Sequence, residues 1–331
     1  MKKRITIKDL AKMLNLSIST VSRALSDHPD ISSETKNRVT ALAESMNYSV
    51  DLHAKFMRTH ESKSIALIIP EINAFFSPDL INGIIQTFDA ADYSVVILQT
   101  NNSLAKEAEM AKYSLNMSVD GVLIMLSNET NDLSHLEILR KTGIPTLLID
   151  KTLPNEDFTT IKIDDINASY TATQKLIQRG RKNILGIFGN ENLEITKSRI
   201  LGFQRAIYES PDQPKHDFIT FKSASSVVPT LTDIFAKRAY DAIFCMSDEI
   251  LVETYYFLSS QGYKIPENIS LIAISDGKTP YFLYPKISHI YHSGFGLGKI
   301  SANYMLDIIK NDLDHHFNIQ IPTEYVELGS V

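Results

Sequence analysis

The sequence predicts a small all-α helix-turn-helix head on an α/β body of two lobes, each built on a doubly wound parallel sheet. Three observations predict this. Residues Thr6 to Leu25 carry two short amphipathic patterns, each with its own start signal. From Ser64 onward, apolar runs alternate with helical stretches, as in parallel sheets covered on both faces. Within that body VDGVLIMLSNE (119–129) resembles YDAIFCMSDE (240–249), and GIPTLLID (143–150) resembles KIPENISLIAISD (264–276). The body therefore reads as two related lobes.

In the head, Thr6 with Asp9 three residues later opens a helix over Ile7 to Leu14, and Ser17 caps a second over Ile18 to Leu25. At 3.6 residues per turn, Leu10, Leu14, Leu16, Val21 and Leu25 share one small core, and Ala11 lets the helices cross closely. Ile18, Ser19, Ser22 and Arg23 are left on the outer side of the second helix. Arg23 suits a guanine edge, Ile18 a thymine methyl and Ser19 a base edge. Thr6, Ser17, Thr20 and Ser22 are short hydroxyl donors suited to phosphate. By pattern alone a solvated helix face explains these residues equally well. Ser32 begins a third helix with Thr35 at its capping-box position, Val39, Leu42, Ala43 and Met46 form its stripe, and Tyr48 closes the core.

Charge follows the same division. Residues 1–62 hold ten Lys/Arg against seven Asp/Glu, a net +3, leaving −9 for the rest of a chain whose total is −6. A basic head on an acidic body suits one nucleic-acid-contacting module carried by a sensor, and so modest an excess favours two heads acting together. The lone Cys245 lies in the apolar run AIFCM and reads as a buried, inert thiol. The start MKKRITIKDLAKML lacks an apolar signal core, and no run nears the ~18 apolar residues of a membrane span, so a cytoplasmic protein is expected. His315-His316 reads as solvated loop, and Asp164-Asp165 as a helix N-terminus before Ile166 to Arg179. With no phosphate loop, metal-ligand spacing or Ser/His/Asp order, neither an enzyme nor a cofactor is expected.

Ser49 to Lys63 reads as a linker with a weak helical centre over Leu52 to Arg58, too short to be stable alone. The body then gives the strand runs SIALIIP, YSVVILQ, GVLIML and IPTLLID, followed by NILGIFG, FITF, AIFCM and ISLIAIS. Asp150 and Asp276 end corresponding strands, where ligands of open α/β sheets sit. The chain is expected to cross between lobes three times: at IKIDD (161–165) after four strands, at ISHIYHS (287–293) into a helix Gly294 to Asn311, and at IPTEYVELGSV.

TIKDLA, SISTVSRAL, the IS-x-x-T-x-x-RV run from Ile31 and Tyr48 closely resemble the lactose/galactose-repressor family of bacterial transcription regulators. The likeness continues through Arg199 in SRILGF, SDE (247–249), SDG (275–277) and YPKIS (284–288). It implies a periplasmic-binding-protein-like body divided as head 1–49, hinge helix 50–62, first lobe 63–162 with 292–321, and second lobe 163–291 with 322–331. It further implies a homodimer on palindromic double-stranded operator DNA, with Ser32, Thr35 and Tyr48 near phosphate. Met57 falls at the family's minor-groove wedge and Ala54 at the close contact between paired hinge helices. Asp150, Asp248, Asp276 and Arg199 resemble the family's ligands for sugar hydroxyls, and Phe75, Phe76 and Phe221 are candidates to stack on a ring. The implied effector is a sugar or sugar derivative, neutral or anionic, since Arg199 opposes a cation.

Departures are visible too. Val50-Asp51 replaces the usual Pro-Asn, Met57 the commoner Leu, Asp92-Tyr93 the usual Gly-Tyr, and Leu328 stands near the usual arginine. A plain carbohydrate-binding protein is the alternative that the body alone would allow. The head residues Thr6 to Tyr48 argue against it.

Overall fold

The first three helices are α1 (Ile7–Leu14), α2 (Ile18–Leu25) and α3 (Ser33–Ser45), and each starts where the capping residues place it. Thr6 and Asp9 form a reciprocal capping box, while Ser17 and Ser32 accept from the amides of Thr20 and Thr35. Asn15, at φ 57°, takes the left-handed turn that ends α1. Leu10, Ala11, Val21, Ala24, Val39 and Ala43 form the buried centre, with Leu14, Leu16, Leu25 and Tyr48 packed around it. The structure is a computed structural model that describes residues 5–46, 48, 61–311 and 317–331. Ala54, Met57, the Val50-Asp51 departure and His315-His316 lie outside the described residues.

Residues Met1–Ser62 form one unit and Lys63–Val331 another. The second unit begins β1 (Ser64–Ile69), α4 (Ser77–Asp89), β2 (Ser94–Gln99), α5 (Leu104–Asn116), β3 (Gly121–Ile124), α6 (Glu137–Lys141), β4 (Thr146–Ile149) and β5 (Thr159–Ile163). It continues with α7 (Asp165–Gln178), β6 (Asn183–Phe188), α8 (Glu194–Tyr208), β7 (Lys215–Thr220), α9 (Val227–Phe235), β8 (Ala242–Cys245), α10 (Asp248–Ser260) and β9 (Ser270–Ser275). Last come α11 (Thr279–Phe282), β10 (Ser288–Tyr291), α12 (Gly294–Asn311), β11 (Asn318–Ile321) and β12 (Glu324–Val326).

Two six-stranded sheets result, in the orders β11-β5-β4-β3-β1-β2 and β12-β10-β9-β8-β6-β7. Every pairing is parallel except β10 with β12. β3 and β8 take the same place in the two orders, as do β4 and β9, which is where the sequence repeats itself. The central strands are buried along their whole length, which is why they read as unbroken apolar runs.

One expectation needs correcting. IKIDD is not a crossing after four strands: Thr159–Ile163 is a fifth strand of the first sheet, paired with β4 and β11. Its short Thr-Thr-Ile-Lys-Ile sequence, with no unbroken apolar run, disguised it, and the chain leaves the sheet at Asp164. The helices seat tightly beside each sheet. α12 lies on α4, where a Cβ at Gly298 would strike the Leu80 carbonyl; α8 lies on α7, where one at Gly202 would strike that of Ile166. Asp92 holds φ 59° on the surface beside buried Tyr93, a conformation that explains why glycine suits this place. Leu328 is half-buried. Cys245 is wholly buried, which pushes its thiol up to about 12, far from nucleophilic.

Candidate DNA-reading face and effector cleft

On the head, the burial of Val21 and Ala24 fixes which side of α2 is left outside. Ile18 is 45% exposed, Ser19 and Arg23 are exposed, and Thr20 and Ser22 are half-buried. The Arg23 side chain makes no hydrogen bond or ion pair among the described residues. Ser17 Oγ accepts from the Thr20 amide at 3.0 Å and lies 2.8 Å from both Ser19 Oγ and Thr20 Oγ1. Three hydroxyls thus cluster at a helix N-terminus, whose partial positive charge favours an anion. Thr6 serves its cap, with its amide donating to Asp9 Oδ2 at 2.9 Å. Ser32 likewise caps α3, accepting from the Thr35 amide at 3.3 Å, and Tyr48 is half-buried against the core.

In the second unit, the carboxyl ends of both sheets open on one cavity of about 390 Å³. Phe75, Phe76, Asp150, Arg199, Phe221 and Asp248 all line it. Asp276 does not. It sits behind Asp248, giving its backbone amide to Asp248 Oδ2 at 3.3 Å, while its own Oδ1 accepts from the Lys278 amide at 3.1 Å. Lys278 in turn pairs with Asp79 on α4, a link between the two lobes.

Arg199 lies inside α8 and is 3% exposed. The sequence offers no neighbour for its charge, but the fold supplies one: Nε donates to Asp165 Oδ1 at 2.9 Å, and Nη1 donates to the Met246 carbonyl. Asp164 caps α7 by accepting from the Asn167 amide, so the two adjacent aspartates have separate duties. Asp248 is the first residue of α10, after the N-cap Ser247, and its Oδ1 accepts from Ser275 Oγ at 2.6 Å. Burial is the main cause pushing the Asp248 carboxyl up to about 7 and that of Asp150 up to about 6.

Phe75 is 44% exposed, Phe76 packs on the first lobe's core as well as lining the cavity, and Phe221 belongs to the second lobe's core. Sequence reading missed His292, which follows β10 at the second crossing and lines the cavity. Its ring stacks on Phe76 at 4.7 Å, and its Nδ1 is buried with no partner among the described residues. Burial, with Arg199 adding, pushes it down to about 3, so it stays neutral. Its place in ISHIYHS gives no local signal, because the Phe76 against it is more than two hundred residues away. Asp165 was read only as a helix start for the same reason.

A helix-turn-helix head joined to a two-lobed body, with a cleft at the strand ends, is the build of a DNA-binding regulator that carries a ligand-binding domain. The family follows from comparison with known proteins. The model described as "Bacterial regulatory proteins, lacI family" matches residues 6–51, and "Periplasmic binding proteins and sugar binding domain of LacI family" matches residues 62–328. The chain belongs to the LacI family: it is a transcriptional regulator and not an enzyme. The HTH-type transcriptional regulator RegA of Clostridium saccharobutylicum is 25% identical over 332 residues, covering 98% of each chain. The fold matches the lac repressor dimer bound to operator and the anti-inducer ONPF, with TM-score 0.85, 17% identity and 99% of each chain covered. It also matches a complex of the transcriptional regulator CelR with cellobiose, with TM-score 0.72 and 20% identity over 99% of this chain and 100% of that one. No helix among the described residues is long and apolar enough to cross a membrane.

Proposed function

We propose that this regulator is a ligand-gated repressor of carbohydrate-use genes, acting in the cytoplasm as a homodimer on a palindromic operator. The observation that carries this is the exposed outer face of α2. Arg23 and Ile18 are exposed there and have no structural duty among the described residues, so their chemistry is available to a base edge. Ser17, Ser19, Thr20, Ser22, Thr6, Ser32, Thr35 and Tyr48 are the proposed phosphate and base-edge contacts. Met57 and Ala54 are proposed, from sequence alone, as minor-groove wedge and hinge contact. A sugar or sugar derivative is proposed for the cleft; the structure of CelR, solved with cellobiose, supports that class of ligand. Two heads reading two half-sites would supply the affinity that a net +3 head lacks. Phe282 and Tyr284, 86% and 90% exposed on the second lobe, offer an apolar surface for a second copy.

A gel shift against the DNA flanking the protein's own gene tests the reading, with and without sugars. The expected result is a specific complex whose stability changes with one sugar, while DNA changes that sugar's affinity by the same factor. A plain carbohydrate-binding protein would bind sugar and show no preference among DNA sequences.

A further inference from the structure

With the cleft as the effector site proposed above, the charge balance inside it speaks to the ligand's class. Arg199 is the cation that would exclude a positively charged ligand. Its charge is cancelled within the protein by Asp165 at 2.9 Å. Asp165 keeps acceptor capacity even then, since its Oδ2 is buried with no partner among the described residues. Three further acids face the cavity from its inner walls: Asp150, 7% exposed, Asp248, 5% exposed, and half-buried Glu249. Among the described lining residues of the inner walls, only half-buried Lys151 stands against them, and it donates to Asn128. Glu71 and Lys222 are exposed at the rim, of opposite sign, and screened by solvent. His292 is held neutral and adds no charge.

The Asp150 carboxylate accepts no hydrogen bond from any described residue, although it is almost wholly buried. Asp165 and Glu249 push its pKa up along with burial; Arg199 and Lys151 oppose them and do not prevail. The aromatic rings of Phe75, Phe76 and Phe221 complete the lining, and ring faces attract cations.

We propose that the cleft selects a hydroxylated ligand carrying an ammonium group, an amino sugar or amino polyol, with Asp150 as the seat of that group. Three acids, two of them buried, face one half-buried lysine, and the ligand supplies the missing positive charge. Binding favours the ionised form of Asp150, so affinity rises as pH climbs from 5 to 7.

Isothermal titration of the full chain with matched sets tests this: D-glucosamine, D-galactosamine and D-mannosamine, each beside its hydroxyl parent and its N-acetyl form. The expected result is that at least one amine binds on the order of tenfold tighter than both neutral forms at pH 7, with the preference shrinking at pH 5. Asp150→Asn should bring that ratio towards one, and Asp248→Asn should weaken the amine as a second, independent variant. A neutral form binding as tightly as its amine, and lost in Asp150→Asn, overturns the charge assignment and leaves the cleft as the effector site. Amine binding that neither variant alters moves the site elsewhere and overturns both readings. No saturable binding by any amine overturns the proposal as well.

Discussion

Replacing Asp150 by asparagine should stabilise the protein at neutral pH and do nothing at acid pH. The side chain keeps its shape and loses its charge. In the fold, the Asp150 pKa stands at about 6 against an ordinary 3.8, with burial as the largest cause and the Asp165 charge next. A folded value above the unfolded one means that the fold prefers the protonated form. The group imposes no penalty below pH 4, and the penalty grows as pH rises through 6. At about 1.4 kcal/mol per pH unit, the rise from 3.8 to about 6 gives about 3 kcal/mol at pH 8. With Asp150 only 7% exposed, solvent screening reduces this little. Urea unfolding at pH 4 and pH 8, followed by far-UV circular dichroism because the chain has no tryptophan, measures the difference. Equal stability gains at both pH values would refute the claim that burial disfavours the ionised carboxylate. A loss at pH 8 would mean that Asp150 has a partner which the geometry does not reveal.

Three further outcomes follow from other sites. Arg23→Ala should weaken operator binding by about 1–3 kcal/mol per head and relax preference at one base pair of each half-site, with unchanged melting temperature; a uniform loss across sequences in a binding-site selection would assign Arg23 to phosphate instead. Gly202→Ala should destabilise the second unit by about 1–3 kcal/mol, because its Cβ meets the Ile166 carbonyl where α8 crosses α7; chemical denaturation reads this directly, and a neutral result would mean the helices separate freely. Glu107 is fully buried and accepts from His135 at 2.8 Å and Thr130 at 2.8 Å, and its pKa is lowered overall although burial opposes the hydrogen bonds. Its contribution is present above the ordinary glutamate range and lost as pH falls through the lowered value, so Glu107→Gln should flatten the acid limb of a stability profile.

The cleft also bears on how a ligand signal could travel. Asp248 lines the cavity, accepts from Ser275 and the Asp276 amide, and Asp276 orders the turn to Lys278, whose ammonium reaches Asp79 on α4. Asp276 thus sits between the cavity and the link joining the lobes.

The sequence by itself determined what depends on near neighbours along the chain. Helix starts at Thr6, Ser17 and Ser32 are settled by a side chain and an amide three residues apart. The identity of the outer face of α2 follows from a 3.6-residue period. The duplicated lobes were legible because buried parallel strands need uninterrupted apolar runs, and because Asp150 and Asp276 end two of them. The fifth strand was not legible, since Thr159–Ile163 looks like a polar-apolar linker until β4 and β11 lie on either side of it. Nor could the sequence assign the charge of Arg199. Its partner Asp165 is 34 positions away and reads as a helix start, yet the crossing of α7 with α8 buries the two together. His292 against Phe76, and Lys278 against Asp79, are likewise products of the two lobes facing each other. Local order is written in short-range spacing. The electrostatics of the cleft, where burial makes each unpaired charge expensive, were decided only when distant segments met.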